Sequence, residues 1–294
     1  VAFFGIGAYT SALLSLGFDV TLMGGLVIAV DPKPVWLAFL AGIVVAGLAG
    51  WFIGKLSFKV RGAYFVIVTI SFAEVTRMVA LNWVDLTEGP MALSSIPPFA
   101  VYIPGLFEET FYRKVPNYYV MLVVGTLSYI AITRTVGSRF GRAMIALREN
   151  EPLAQSVGVP VTRFLLLAAV MSAAIAGAAG GLYAHYIRIV DPDIFLFIYT
   201  VTMVIMVITG GKGTLAGPVV GGILFGILPE LLRDFAMPEV QWMIYGLLMI
   251  LIVFFLPQGI VPAVTSLFAG RGTRRQRDAH PVVGGGQPTQ SPSE

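Results

Sequence analysis

Apolar residues fall along this chain in blocks separated by short clusters of Gly, Pro and charge. The blocks cover Val1–Gly17, Val35–Gly54, Ala63–Leu81, Tyr118–Ile132, Phe164–Ala184, Phe195–Thr209, Leu215–Leu228 and Val240–Leu256. A helix crossing a bilayer needs about 20 mostly apolar residues, whereas a barrel strand alternates apolar and polar positions over about 10. The unbroken runs predict an all-α, polytopic transmembrane helical bundle of about seven or eight spans, occupying residues 1–268. Leu22–Val30 is too short to span and is expected to be interfacial or re-entrant. Val1–Gly17 reads as the remnant of a span, because no initiator Met or basic leader precedes it.

Composition removes the soluble alternative. Charged residues make up 12% of the 294 positions, hydrophobic residues 57%, and the mean hydropathy is +0.85. A soluble domain carries roughly a quarter charged residues, so this chain lacks the charge to coat a water-facing surface. The basic residues lie between the blocks. Residues 55–61 and 133–163, the turn at Lys212 and the tail from Gly270 together hold 13 of the 19 Lys and Arg. The opposite side holds Lys33, Arg113, Lys114, Arg188 and Arg233, and Arg77 lies inside a span. The positive-inside rule makes the first side cytoplasmic. It places a loop at 134–163 and the tail 269–294 inside, and a loop at 82–116 outside. The tail, four arginines followed by Gly, Pro, Ser and Gln, is expected to be disordered and to rest on anionic membrane lipid. The net charge of +3 is thus a topology signal, and no nucleic acid partner is expected.

Candidate chemistry is sparse. There is no Cys, and the two histidines, His185 and His280, offer little for a metal. No His/Glu metal set or Ser/Lys dyad falls on facing spans, so neither an enzyme nor a metal site is expected. The run Gly210-Gly211-Lys212-Gly213-Thr214-Leu215-Ala216-Gly217-Pro218 is not a phosphate loop, because Met206 stands where the first motif glycine belongs and Gly213 follows the lysine. It reads as a tight interhelical packing turn built on Gly210, Gly211, Gly213, Gly217 and Pro218. With no ATP site and no other cofactor expected on this chain, any ATP is used by partner subunits. Charge inside a membrane flags function by default. Glu74 and Arg77, three apart on one predicted helix, are either a structural or interfacial pair or part of a translocation path. His185 and Arg188, with Asp191 and Asp193, are placed at an external mouth, as interfacial residues or a gate. Gly177, Gly180 and Gly181 form, with neighbouring alanines, a face suited to close helix packing.

The internal loop carries a wider pattern. Ser138-Arg139-Phe140-Gly141-Arg142-Ala143, then Ala146-Leu147-Arg148-Glu149-Asn150-Glu151, Ala154 and Gly158-Val159 follow the run S-x-x-G-R-A…A-I-R-E-x-E…A…G-[IV]. It resembles the cytoplasmic coupling segment of ABC-importer permeases, and more narrowly that of branched-chain amino acid permeases of the LivM type. Arg61-Gly62-Ala63-Tyr64-Phe65 through Glu74, Arg77 and Gly89-Pro90 to Leu93-Ser94 is similar to the same family, as are Gly210–Pro218 and the opening Phe3-Phe4-Gly5-Ile6-Gly7-Ala8-Tyr9. The likeness extends to about Pro262.

The resemblance implies a permease subunit paired with a homologous permease subunit, driven by cytoplasmic ABC ATPase subunits and fed by a substrate-binding protein, in a bacterial or archaeal cell (inner) membrane. Arg139, Gly141, Arg142, Arg148, Glu149, Glu151 and Gly158 would then couple ATPase motion to the spans. The residues suit a rigid knob: Phe140, Met144, Ile145 and Leu147 pack, the arginines face outward, and Gly158 with Pro160 ends the helix. Pro152 departs from the Glu-Ala-Ala pattern common in such loops. Leucine, isoleucine and valine are the implied cargo; the same permease type also serves urea and short amides. A secondary transporter would need a midplane acidic cluster, and only Glu74 lies within a span.

Overall fold

The structure, a computed structural model, describes residues 1–22, 26–58, 63–103, 107–110, 114–232, 240, 243, 244, 246, 247, 250, 254 and 259–269. Most of the predicted span at 240–256, and the basic tail beyond Ala269, lie outside the described residues. The chain divides into two compact units, Val1–Thr200 and the part beginning at Val201.

In the first unit α1 (Ala2–Leu16), α2 (Val35–Ser57) and α8 (Val161–Ile187) pack together. They do so because their facing positions have almost no side chain. A Cβ on Gly7 would lie 2.7 Å from the Gly177 carbonyl carbon, one on Gly42 would lie 2.8 Å from the Gly7 oxygen, and one on Gly181 would lie 2.9 Å from the Phe39 ring. Gly180 lies equally close to the backbone of Phe4. Apolar lipid gives no hydrophobic reason for helices to associate, so close backbone approach through small residues takes its place.

Around this trio run α3 (Ala63–Asn82), α4 (Val84–Thr87), α5 (Lys114–Gly137), α6 (Arg139–Glu149) and α7 (Glu151–Ser156). A 3-10 turn at Pro192–Phe195 leads to α9 (Phe197–Gly210). Among the described residues, α2, α3, α5 and α8 contain helices long and apolar enough to cross a membrane, while Ala2–Leu16, Phe197–Gly210 and Gly217–Leu228 are shorter apolar helices. The span expected at 118–132 is longer at both ends. Pro116 sits in its first turn, where no intrahelical N–H is needed.

Two connections differ from expectation. Leu26–Val30, in the piece expected to be interfacial or re-entrant, is a strand. Strand β1 (Phe18–Leu22) pairs antiparallel with β2 (Leu26–Val30), Phe18 opposite Val30. Both strands are rich in β-branched residues, which favour extended pairing. A second hairpin, β3 (Ala100–Ile103) with β4 (Phe107–Thr110), lies within the predicted external loop. The loop helix expected to end at Gly158 with Pro160 is also broken, at Asn150, which takes an extended conformation (φ −156°). Pro152 has no N–H to continue α6, so Asn150 caps a new helix instead, its side chain accepting the Leu153 N–H at 3.0 Å.

In the second unit the glycine turn after α9 meets α10 (Gly217–Leu232) and α11 (Ile260–Ala269). Gly210 abuts Gly217, and a Cβ on Gly211 would lie 2.7 Å from the Pro262 ring. Thr214 pins the turn, donating to the Gly211 oxygen (2.9 Å) and accepting the Gly217 N–H (3.1 Å). Gly211 and Gly213 both take positive φ.

Candidate functional site

Glu74 and Arg77 sit on α3, one turn apart. Arg77 reaches Glu74 at 3.2 Å and, across the fold, Asp193 of the 3-10 turn at 3.1 Å. The Arg77 side chain is mostly covered, 21% exposed, while the side chains of Glu74 and Asp193 are more than half exposed. Its Nε is buried and donates to nothing. Arg77 therefore faces two carboxylates with its Nε–H unused.

Glu74 lines a cavity of about 190 Å³ whose walls include Phe3, Ile53, Ile70, Phe72 and Phe195. A second cavity, about 410 Å³, reaches Gly50, Ser57, Phe65 and Ser172. Phe3, Ile53 and Thr69 wall both. The two spaces are neighbours along α3, apolar except for Glu74 and a few hydroxyls. Ser57 is buried, and its hydroxyl has no partner.

His185 and Arg188 line neither cavity. His185 is fully buried on α8. Its Nδ1 must donate to the Pro97 carbonyl (2.7 Å), since a carbonyl only accepts; Nε2 then pairs with the Ser11 hydroxyl at 2.8 Å. Phe99 meets the imidazole edge-on at 4.8 Å. Arg188, in the left-handed conformation that ends α8, donates from Nε to the Ile96 oxygen (3.2 Å). Leu93 and Val190 exchange both backbone bonds, at 2.9 and 3.0 Å. Together these contacts fasten the 93–99 segment over the end of α8. Of the non-glycine residues with positive φ among those described, Ser95 and Arg188 fall in these two stretches, and Glu88 and Ala92 lie just before the first. Such conformations cost of order 1–3 kcal/mol each and persist where surrounding contacts hold them.

The α6–α7 segment stands apart from the cavities. Ser138 caps α6, accepting the N–H groups of Phe140 (3.1 Å) and Gly141 (3.4 Å) while donating to the Thr135 oxygen (2.6 Å). Gly141 lies against the backbone of Val136. Phe140 stacks on Phe164 of α8 at 5.2 Å, and Leu147 is buried. Arg142 donates to the Gly137 oxygen (3.1 Å), and Arg148 pairs with Glu149 (2.8 Å). Glu151 accepts from Gln155, and Gly158, at φ 85°, turns the chain into α8. Ile145, Leu153 and Val157 are exposed.

The family model described as branched-chain amino acid transport system / permease component matches residues 1–253. The chain belongs to this permease family. The high-affinity branched-chain amino acid transport system permease protein LivM of Salmonella typhimurium is 33% identical, over 88% of this permease chain and 62% of its own length. LivM of Escherichia coli is 32% identical with the same coverage. LivH of Escherichia coli is 28% identical over 87% of this chain and 82% of its own. The chain thus spans about three fifths of the length of the LivM relatives. No solved structure matches it. Family membership and the apolar helices make it a multi-pass membrane protein.

The sequence pattern pairs Glu74 with Arg77 but groups Asp193 with His185 and Arg188 rather than with them. Asp193 lies 116 residues from Arg77, and nothing local to either residue signals the pairing. The shared walls Phe3, Ile53 and Thr69 carry no motif. Ser11, the partner of His185, was equally silent.

Proposed function

We propose that this chain is a membrane-spanning permease subunit of an ATP-driven ABC importer that carries leucine, isoleucine and valine across a bacterial or archaeal cell (inner) membrane. The match to the permease family over residues 1–253 carries this reading. The names of the relatives favour branched-chain amino acids over urea or short amides. A homologous permease subunit completes the path, a substrate-binding protein delivers cargo, and two ATPases drive the cycle. The coupling segment is α6–α7. It presents exposed Ile145, Leu153 and Val157 beside Arg139, Arg142 and Arg148, the mixed apolar and cationic surface that a protein partner needs. Phe140 on Phe164 and Gly141 on Val136 join that surface to α8 and α5, so a push on α6 reaches two spans. The C-terminal tail lies on the same, cytoplasmic side.

Reconstitution tests the reading. The chain, assembled in vesicles with its sister permease, ATPases and binding protein, is expected to take up leucine only with ATP. Leucine movement by the chain alone, driven by an ion gradient, overturns it. Uptake of urea in preference to leucine moves the cargo to the amide class.

A further inference from the structure

We propose that Arg77, Asp193 and Glu74 form a two-position latch between α3 and the far end of α8. It is closed in this structure, with Arg77 on Asp193, and opens during transport, with Arg77 kept by Glu74. The inference rests on the permease reading and adds a moving joint to it.

The two sides of the joint are held very differently. Asp193 belongs to a 3-10 turn fixed to the trio. Ile194 and Phe195 of that turn are buried, and Phe195 stacks on Tyr9 of α1 at 5.8 Å and lies against Gly5. Just ahead of the turn, Val190 is bonded to Leu93. Helix α3 is seated loosely by comparison. Only 6% of its membrane-crossing stretch is buried within the chain. A cavity of about 410 Å³ is walled jointly by Phe65 and Thr69 of α3, Gly50 and Gly54 of α2, and Ala168 and Ser172 of α8. Thr69, Thr76 and Asn82 spend their hydrogen bonds on the backbone of α3 itself. Among the described residues, Arg77 makes the side-chain hydrogen bond that ties this helix to another element.

The pairing itself has two positions built in. Arg77 makes single bonds to two carboxylates, through Nη1 and Nη2, and leaves Nε buried without an acceptor. That is a weaker use of a guanidinium than two parallel bonds to one carboxylate. Both acidic side chains are more than half exposed, so the bridge is screened and opens at small cost. An arginine left bare in a span is expensive. Glu74, one turn away on the same helix, travels with Arg77 and offers a carboxylate to Nε and one Nη once Asp193 has gone. The second acid therefore makes the open position habitable.

Helix α8 puts this joint where a load arrives. Phe164, near its start, stacks on Phe140 of α6, and Asp193 follows its other end. The 27 residues of α8 rise about 1.5 Å each, roughly 40 Å in all. Close glycine contacts join α8 to α1 and α2, which leaves little slack within the trio. A displacement of α6 that moves α8 is thus delivered at the opposite end, as movement of the Asp193 turn against Arg77.

Two variants with opposite effects distinguish a latch from a static ion pair. With the closed latch as the resting position, Asp193→Asn frees α3. It is expected to raise cargo-free ATP hydrolysis by the complete transporter in vesicles about two- to fivefold, the scale of a half-exposed ion pair. Glu74→Gln removes the partner of the open position, and is expected to lower leucine-stimulated hydrolysis and uptake by a similar factor. The double variant R77D/D193R again sets one guanidinium between two carboxylates and should return the cargo-free rate toward the wild-type value. A static pair moves D193N and E74Q in the same direction; that result, or a wild-type cargo-free rate in D193N, overturns the latch. The chain has no Cys, so nitroxide labels on Met78→Cys and Ile189→Cys, both exposed positions, read the distance from α3 to the corner in the full chain without its partners. D193N should lengthen or broaden that distance and E74Q should not. An unchanged distribution in D193N overturns the latch even where a variant fails to assemble. If wild-type vesicles take up no leucine with ATP, it is the permease reading that fails, and the distance measurement still decides the latch.

Discussion

The trio α1–α2–α8 and the helix α5 are all apolar and use that character in opposite ways. Of their membrane-crossing stretches, 39% of α2 and 33% of α8 is buried within the chain, against none of α5 and 6% of α3. In the trio the inward faces are glycine and alanine and the bulky residues point away; Leu40, Val44, Leu48 and Phe52 of α2 are all exposed. On α5, Leu122, Val123, Leu127 and Ile130 are exposed, and Gly125 has nothing near it. Hydrophobicity thus says that a segment enters the membrane, and small residues say which helices meet there. The same glycine is a contact in one helix and an open position in the other.

The largest effect is expected at one of these close contacts. Gly177→Leu places a side chain into Ala46 and the Gly42 backbone. Overpacking a core costs about 1–3 kcal/mol, and more where rigid backbone stands in the way. The variant should fail to give a monodisperse subunit by size-exclusion chromatography. A G177L subunit with wild-type thermal stability would mean that α1, α2 and α8 do not pack through glycine.

Much of this was legible in advance because membrane insertion writes itself in length and composition. The helices corresponding to blocks 35–54, 63–81 and 164–184 were anticipated to within a few residues. The connections were not. Leu22–Val30 is apolar and short, and nothing in its own residues announces the pairing with Phe18–Leu22. The break at Asn150 was visible in principle, since Pro152 removes the N–H that α6 needs to continue, but Gly158-Pro160 gave the louder stop signal. In the candidate site, Glu74 and Arg77 stand out because a charge in a span is costly. Asp193 stands outside the spans, where acids are ordinary, and so carried no signal of its pairing with Arg77.

The next effect concerns how the trio is closed at its end. His185→Leu leaves the Pro97 carbonyl and the Ser11 hydroxyl without their partner, and orphaned buried polar groups cost about 1–3 kcal/mol each. The 93–99 segment should then exchange its amide hydrogens faster and be cut earlier by protease, while α6–α7 keeps its wild-type protection. Loosening spread evenly over the chain would contradict a local clamp. A smaller loss, about 1 kcal/mol, is expected from Ser138→Ala, which removes the cap of α6. It should appear as faster exchange at the Phe140 and Gly141 amides, with no change in the trio.

The smallest change probes the other side of the comparison. Gly125→Ala on α5 meets open space within this chain and replaces the poorest ordinary helix former with the best. In a helix interior that exchange is worth roughly 0.5–1 kcal/mol in favour of alanine. The isolated subunit should therefore melt slightly higher. What happens in the assembled transporter separates the two possible surroundings of α5. Against lipid, a methyl group is neutral and uptake stays at the wild-type level. Against a second protein chain packed as closely as Gly7 lies on Gly177, the same methyl separates two backbones, and assembly and uptake fall although the subunit alone has gained stability. A glycine that is idle in one chain and indispensable in two would extend the rule of the trio to the contact between subunits.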